Sequence, residues 1–106
     1  MRNFDKHFDG IIQSVAEVYE IPADQILSKS RLGRVAEARR AAVAATHRIY
    51  SRSLKSQKGC YRAVAGMFGM RSRWSIPFLI KSLSKDVQTD RMAKERWVKL
   101  RSQLNV

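Results

Sequence analysis

Between Val35 and Tyr50 the chain reads Val-Ala-Glu-Ala-Arg-Arg-Ala-Ala-Val-Ala-Ala-Thr-His-Arg-Ile-Tyr, with neither glycine nor proline. Alanine loses no side-chain freedom in a helix, so this stretch predicts a long one. Val35, Ala38, Ala42, Ala45 and Ile49 recur at helical spacing and form a seam of small residues. A seam of that kind has little volume of its own. It fills a core only if a neighbouring helix comes close, which points to helix-on-helix packing.

The rest of the chain agrees. Ile11, Ile12, Val15, Ala16 and Tyr19 make one face of a first helix, for which Asp9 is a candidate cap. Pro22 suits the first turn of a short second helix over residues 21–27, where its missing N–H costs nothing. Ser28 to Arg34 is a basic loop, and Gly33 interrupts its helical pattern. Ser51 to Gly59, with three serines, reads as a mobile loop. A helix follows from about Cys60 to Phe68, its Val64, Met67 and Phe68 inward, closed by Gly69 as the C′ residue. Another runs from Ile76 to about Val87. Thr89 or Asp90 then caps a last helix through Leu104, with Met92, Ala93, Trp97, Leu100 and Leu104 on its buried side. No segment alternates as a strand does. The expectation is one all-α domain over residues 1–106, a compact bundle of about six helices.

Charge is distributed unevenly. From Lys29 to Lys85 there are fourteen Lys/Arg and one acid, Glu37, a local net of +13 in a chain whose total is +12. Residues 1–28 hold two basic residues against five acids, and residues 86–106 five against three. A field of one sign in one region attracts polyanions, and binding to nucleic acid releases its condensed counterions. Glu37 is expected to pair with Arg40 or Arg34.

Other chemistry finds little footing. One cysteine, Cys60, excludes an internal disulfide and suggests a reducing compartment. That thiol either starts a helix, which can lower its pKa, or is plainly buried. His7, His47 and Cys60 cannot make a four-ligand zinc site without carboxylates, and His47 reads as an ordinary helix-face residue. No apolar run approaches the ~18–20 residues of a membrane span, and the N-terminal stretch has no signal-like apolar region. There is no nucleophile–base pair and no cofactor motif, so no enzyme and no cofactor are expected. The expected address is cytoplasmic, with the nucleoid.

The helix ending at Phe68, the turn Gly69-Met70-Arg71 and the following helix form a helix-turn-helix pattern. In that motif the second helix enters the major groove with its first residues at base edges. Here these are Arg71, Ser72, Arg73, Trp74 and Ser75, with Lys81 and Lys85 further along near the backbone. Arginine's planar fork suits guanine or phosphate, and serine suits phosphate or either base edge. Trp74 can stack on a base or cover the domain's own core. Trp97 is expected in the core. Arg48, Arg52, Lys55 and Lys58 suit either phosphate contacts or a solvated loop.

Three stretches carry a family resemblance: Ile11-Ile12-Gln13-Ser14-Val15-Ala16-Glu17 through Ile21; Ser28-Lys29-Ser30-Arg31 with Val35-Ala36-Glu37-Ala38-Arg39; and Val64-Ala65-Gly66-Met67-Phe68-Gly69-Met70-Arg71. Over most of residues 10–104 the chain resembles the C-terminal DNA-binding domain of the bacterial replication initiator DnaA. The resemblance implies a six-helix, Trp-repressor-like fold that binds a short duplex as a monomer. It implies that Lys29 and Arg31 carry the family's basic-loop pattern, with Arg31 in the minor groove; Arg34, at the end of the same basic loop, is a further candidate DNA contact. It also implies that Arg39 matches the arginine of the family's third helix.

The family's Arg-Asp-His-Ser/Thr-Thr signature falls on Arg71-Ser72-Arg73-Trp74-Ser75, so its base-reading positions differ here and the initiator's usual box is not the expected target. Pro77 lies in the would-be recognition helix, which is therefore expected to start with Ser75 as N-cap and Pro77 in its first turn. The Ser51–Gly59 loop is longer than the family's. No GxxxxGK[ST] phosphate loop is present, so the resemblance implies the DNA-binding module without the initiator's ATPase.

The function expected is site-preferring binding of double-stranded DNA in the regulation of transcription or replication. The alternative is a protein that engages or competes with the replication-initiation machinery. RNA binding is disfavoured, for want of an aromatic-bearing sheet or a single-strand groove. Expected partners are duplex DNA and proteins of replication initiation or transcription, with no membrane involved.

Overall fold

A computed structural model describes residues 3–28, 33–52 and 57–106. The described residues form six helices and no strand: α1 Asn3–Tyr19, α2 Ala23–Ile26, α3 Gly33–Ser51, α4 Gln57–Met67, α5 Ser75–Thr89 and α6 Arg91–Leu104. The all-α expectation holds.

The alanine-rich helix α3 is the axis of the molecule. It packs against α1, α2, α4 and α5, while α6 closes the far side against α1 and α5. The seam residues Val35, Ala38, Ala42 and Ala45 are buried, and so are Ala41, Val43, Ala44 and Thr46. The helix is therefore enclosed on every side over its middle, not along one seam, as an all-round apolar helix must be. Thr46 satisfies its hydroxyl within α3, donating to the Ala42 carbonyl at 2.7 Å. Ile11, Val15 and Tyr19 from α1, Ile26 from α2, Val64 from α4, Ile76 and Leu83 from α5, and Trp97 and Leu100 from α6 complete one continuous core.

Helix boundaries correct several expectations. Helix α1 starts at Asn3, so Asp9 is interior and exposed and caps nothing. The apolar face extends back to Phe8, whose ring meets Phe68 edge-on at 5.1 Å. Pro22 is the N-cap of α2 and not a residue of its first turn. Gly33 opens α3 instead of breaking it, because a helix start tolerates glycine. Helix α4 begins at Gln57, which shortens the connection from Ser51–Gly59 to residues 52–56. Its Cys60 is a buried thiol, and burial pushes its pKa up. Met92 stands on the exposed side of α6, whereas Ala93, Trp97 and Leu100 face the core as expected.

Three helices end in one way. After α1, α4 and α6 the chain passes through a left-handed residue, Glu20 (φ 55°), Gly69 (φ 67°) and Asn105 (φ 60°) respectively. In each case the next N–H reaches back five residues: Ile21 to Ala16, Met70 to Ala65 and Val106 to Arg101. These are Schellman closures, and they satisfy carbonyls the helix leaves open. Asp90 caps α6, its Oδ1 accepting from the Met92 N–H at 2.9 Å.

Two ion pairs tie the bundle across helices. Glu37 on α3 takes a two-pronged contact from Arg96 on α6, at 2.7 and 2.8 Å. Arg40 donates to Asp86 on α5 at 2.7 Å. The partner of Glu37 is thus neither Arg40 nor Arg34. The bond to Glu37 raises the pKa of Arg96 despite its partial burial.

Candidate nucleic-acid interface

Helix α4, the connection over residues 68–74 and the start of α5 bring the residues Arg71 to Ser75 to one place. Gly69 makes this possible, since its positive φ lets the chain leave α4 sharply. Beyond it, Ser72 organises the entry to α5. Its hydroxyl accepts from the Trp74 N–H at 3.2 Å, and its carbonyl accepts from Ser75 N at the same distance. The Arg73 carbonyl accepts from the Ile76 N–H at 3.2 Å, and the next residue, Pro77, has no N–H. The N-cap is Trp74, not Ser75, and Pro77 lies in the first turn as expected.

The first-turn N–H groups of α5 are therefore already engaged or absent. A helix start usually offers such groups to an anion. Here the groups open to an anion are side chains.

Those side chains surround a groove of about 450 Å³ whose walls include Arg62, Gly66, Met70, Arg71, Ser72, Arg73 and Trp74. Arg71 and Ser72 are exposed. The Arg73 guanidinium lies over the Trp74 ring, 5.2 Å from its centroid, a cation–π distance. The Arg73 Nε is buried with no hydrogen-bond partner among the described residues. Trp74 is 54% exposed, so it does not cover the core. Its ring centroid lies 6.4 Å from that of Tyr61, tilted by 57°, and Tyr61 in turn stacks on His47 at 5.2 Å. A row of rings thus runs from α3 through α4 to the start of α5.

Lys81 and Lys85 are exposed further along α5, on a surface that also holds Phe78, Ser82, Ser84 and Gln88. Among the described residues, none of Arg71, Arg73, Lys81 and Lys85 takes part in an ion pair. The nearest acid on each side in sequence, Glu37 before and Asp86 after, is held by Arg96 and Arg40 respectively.

Other candidates lie elsewhere. Arg39 is turned inward, its Nε donating to the Ile26 carbonyl at 3.1 Å, and desolvation lowers its pKa. It fastens α2 to α3. Arg34 is exposed, donates to the Tyr19 carbonyl at 3.4 Å and lies 4.0 Å from Glu20. Lys29, Arg31 and Lys55 fall outside the described residues, as does most of the basic loop. Arg62 and Phe78 were not singled out by the sequence pattern. The available signals were helical spacing, Arg62 four residues before Gly66 and Phe78 four after Trp74.

No group of three metal-ligating side chains occurs among the described residues, and no described helix is long and apolar enough to cross a membrane. No protein-family model, curated protein or solved structure matches this chain.

Proposed function

We propose that the protein binds double-stranded DNA with a preference for particular sites, as a nucleoid-associated regulator of transcription or replication. Helix α4, the Gly69 turn and α5 serve as a helix-turn-helix, with the start of α5 in the major groove and the basic loop at residues 28–34 in the minor groove. The observation that carries this reading is the row of unpaired cations, Arg71, Arg73, Lys81 and Lys85, along one element and the turn before it. Such an array matches a phosphate backbone and has no counterpart on the acidic N-terminal segment. The exposed Arg71 is the side chain best placed to meet a base edge, since Ser72 is held by the backbone and Arg73 by Trp74.

Selection of bound duplexes from a random pool tests the proposal, with wild type and Arg71→Ala run in parallel. Wild type should enrich a defined motif, and the variant should lose information at one or two positions, about 1–3 kcal/mol of discrimination. No enrichment over random duplex would rule out site preference. Retention of RNA in place of duplex would move the protein to another class.

A further inference from the structure

Trp74 and Phe78 are large apolar side chains left open to solvent, Phe78 the more so at 69%. They do not stand at random. Trp74, Phe78, Lys81 and Lys85 are spaced by four, three and four residues, which at 3.6 residues per turn places them within about 60° of one another. One stripe of α5 therefore carries two exposed rings at its start and two lysines behind them, with Arg71 and Arg73 just ahead. A wholly B-form duplex offers phosphates to the cations but only base edges to the rings. A base freed from its stack offers a π-face as well.

We propose that this stripe binds DNA containing an unstacked or unpaired base, with Trp74 and Phe78 as stacking platforms and the flanking cations on the strand's phosphates. The inference rests on the DNA-binding reading and names the state of the DNA that the site prefers. Three features support it. The Trp74 ring is held in place by Tyr61 and Arg73, so little conformational freedom is lost when a base stacks on it. Charge complementarity is one-sided, since the sequence has no acid between Glu37 and Asp86. Stacking tolerates any base, so the two rings need no polar reader beside them. A membrane surface is the competing occupant for a basic, aromatic helix face. Two rings flanked by Ser75, Ser82 and Ser84 give it too narrow an apolar band.

The test measures binding and tryptophan emission of the full chain against four probes. These are a perfect duplex, the same duplex with a single unpaired thymine, a short oligothymidylate, and vesicles of phosphatidylcholine and phosphatidylserine in equal parts. Trp74→Ala, Trp74→Phe and Phe78→Ala are compared with wild type, and the emission of Trp97 reports that each variant is folded. The expected result is tighter binding to the bulged than to the perfect duplex, with emission quenched by both unpaired probes. Trp74→Ala and Phe78→Ala should each weaken oligothymidylate binding by about fivefold or more, with Trp74→Phe largely restoring it. Equal affinity for perfect and bulged duplexes would overturn this inference and leave DNA binding standing, as would a bulge preference that survives both alanine variants. Binding to no DNA probe would remove both readings. Stronger quenching by vesicles than by any DNA would assign the stripe to a lipid surface.

Discussion

Tyr19 sits in the core with its hydroxyl buried and without a hydrogen-bond partner among the described residues. Desolvation, reinforced by the Glu37 carboxylate and partly opposed by Arg96, pushes its pKa above the ordinary 10.0. The folded protein thus holds this proton more tightly than the unfolded chain does. Below pH 10.0 the ionisation of Tyr19 does not affect stability; as pH climbs from there toward the folded value stability falls, at up to about 1.4 kcal/mol per pH unit. Tyr19→Phe should be neutral or stabilising by up to about 1 kcal/mol at pH 7, because it removes an unsatisfied hydroxyl. Urea unfolding at a series of pH values should show wild type losing stability above pH 10 more steeply than the variant. Substitution of the neighbouring Glu37 has the opposite effect on stability. Glu37→Gln leaves Arg96, only 21% exposed, without its anion and should cost about 2–3 kcal/mol by chemical denaturation. Replacing both members of the pair by Met should recover much of that loss, because a bonded pair this close to the core is expensive to desolvate.

Among the elements, glycine has opposite meanings at two positions. Gly69 holds φ 67° at the end of α4, a conformation any other L residue adopts with strain. Gly69→Ala should destabilise by about 1–2 kcal/mol and loosen the turn on which Arg71 to Trp74 depend. Gly10 lies inside α1 with open space where a Cβ would go, so Gly10→Ala should stabilise by about 0.5–1 kcal/mol. Thermal melts of the two variants should move in opposite directions. The Gly69 closure was legible because glycine is the residue that such an ending favours. The same ending at Glu20 was not, since nothing in a glutamate announces a left-handed backbone. Likewise the alanine run announced a long helix, but its burial on every side emerges only when four neighbours pack around it. Periodicity placed Trp97 inside and misplaced Met92, because a long apolar residue at a helix edge can turn either way. The partner of Glu37 is 59 residues distant in sequence, beyond what any local pattern reaches.

For the whole molecule, the decisive quantity is where the charge goes once internal pairs are taken out. Glu37 and Asp86 are spent on the bundle's own arginines, and Arg39 is turned inward. The cations that remain outward in the central region are the ones open to a polyanion. If about five phosphates are neutralised on duplex, the logarithm of the association constant should fall against that of salt concentration with a slope near −4 to −5. A titration from low to physiological salt measures it, and a flat response with tight binding would remove the electrostatic basis of the interface. The length of the α5 stripe carries a consequence of its own. From Trp74 to Lys85 the helix advances about 16 Å, at 1.5 Å per residue, while one strand presents a phosphate about every 3.4 Å along the duplex axis. On the proposed reading, the surface would span about five nucleotides. Fragments shorter than that should then leave one end of the stripe idle, and longer ones should gain only by offering more places to sit.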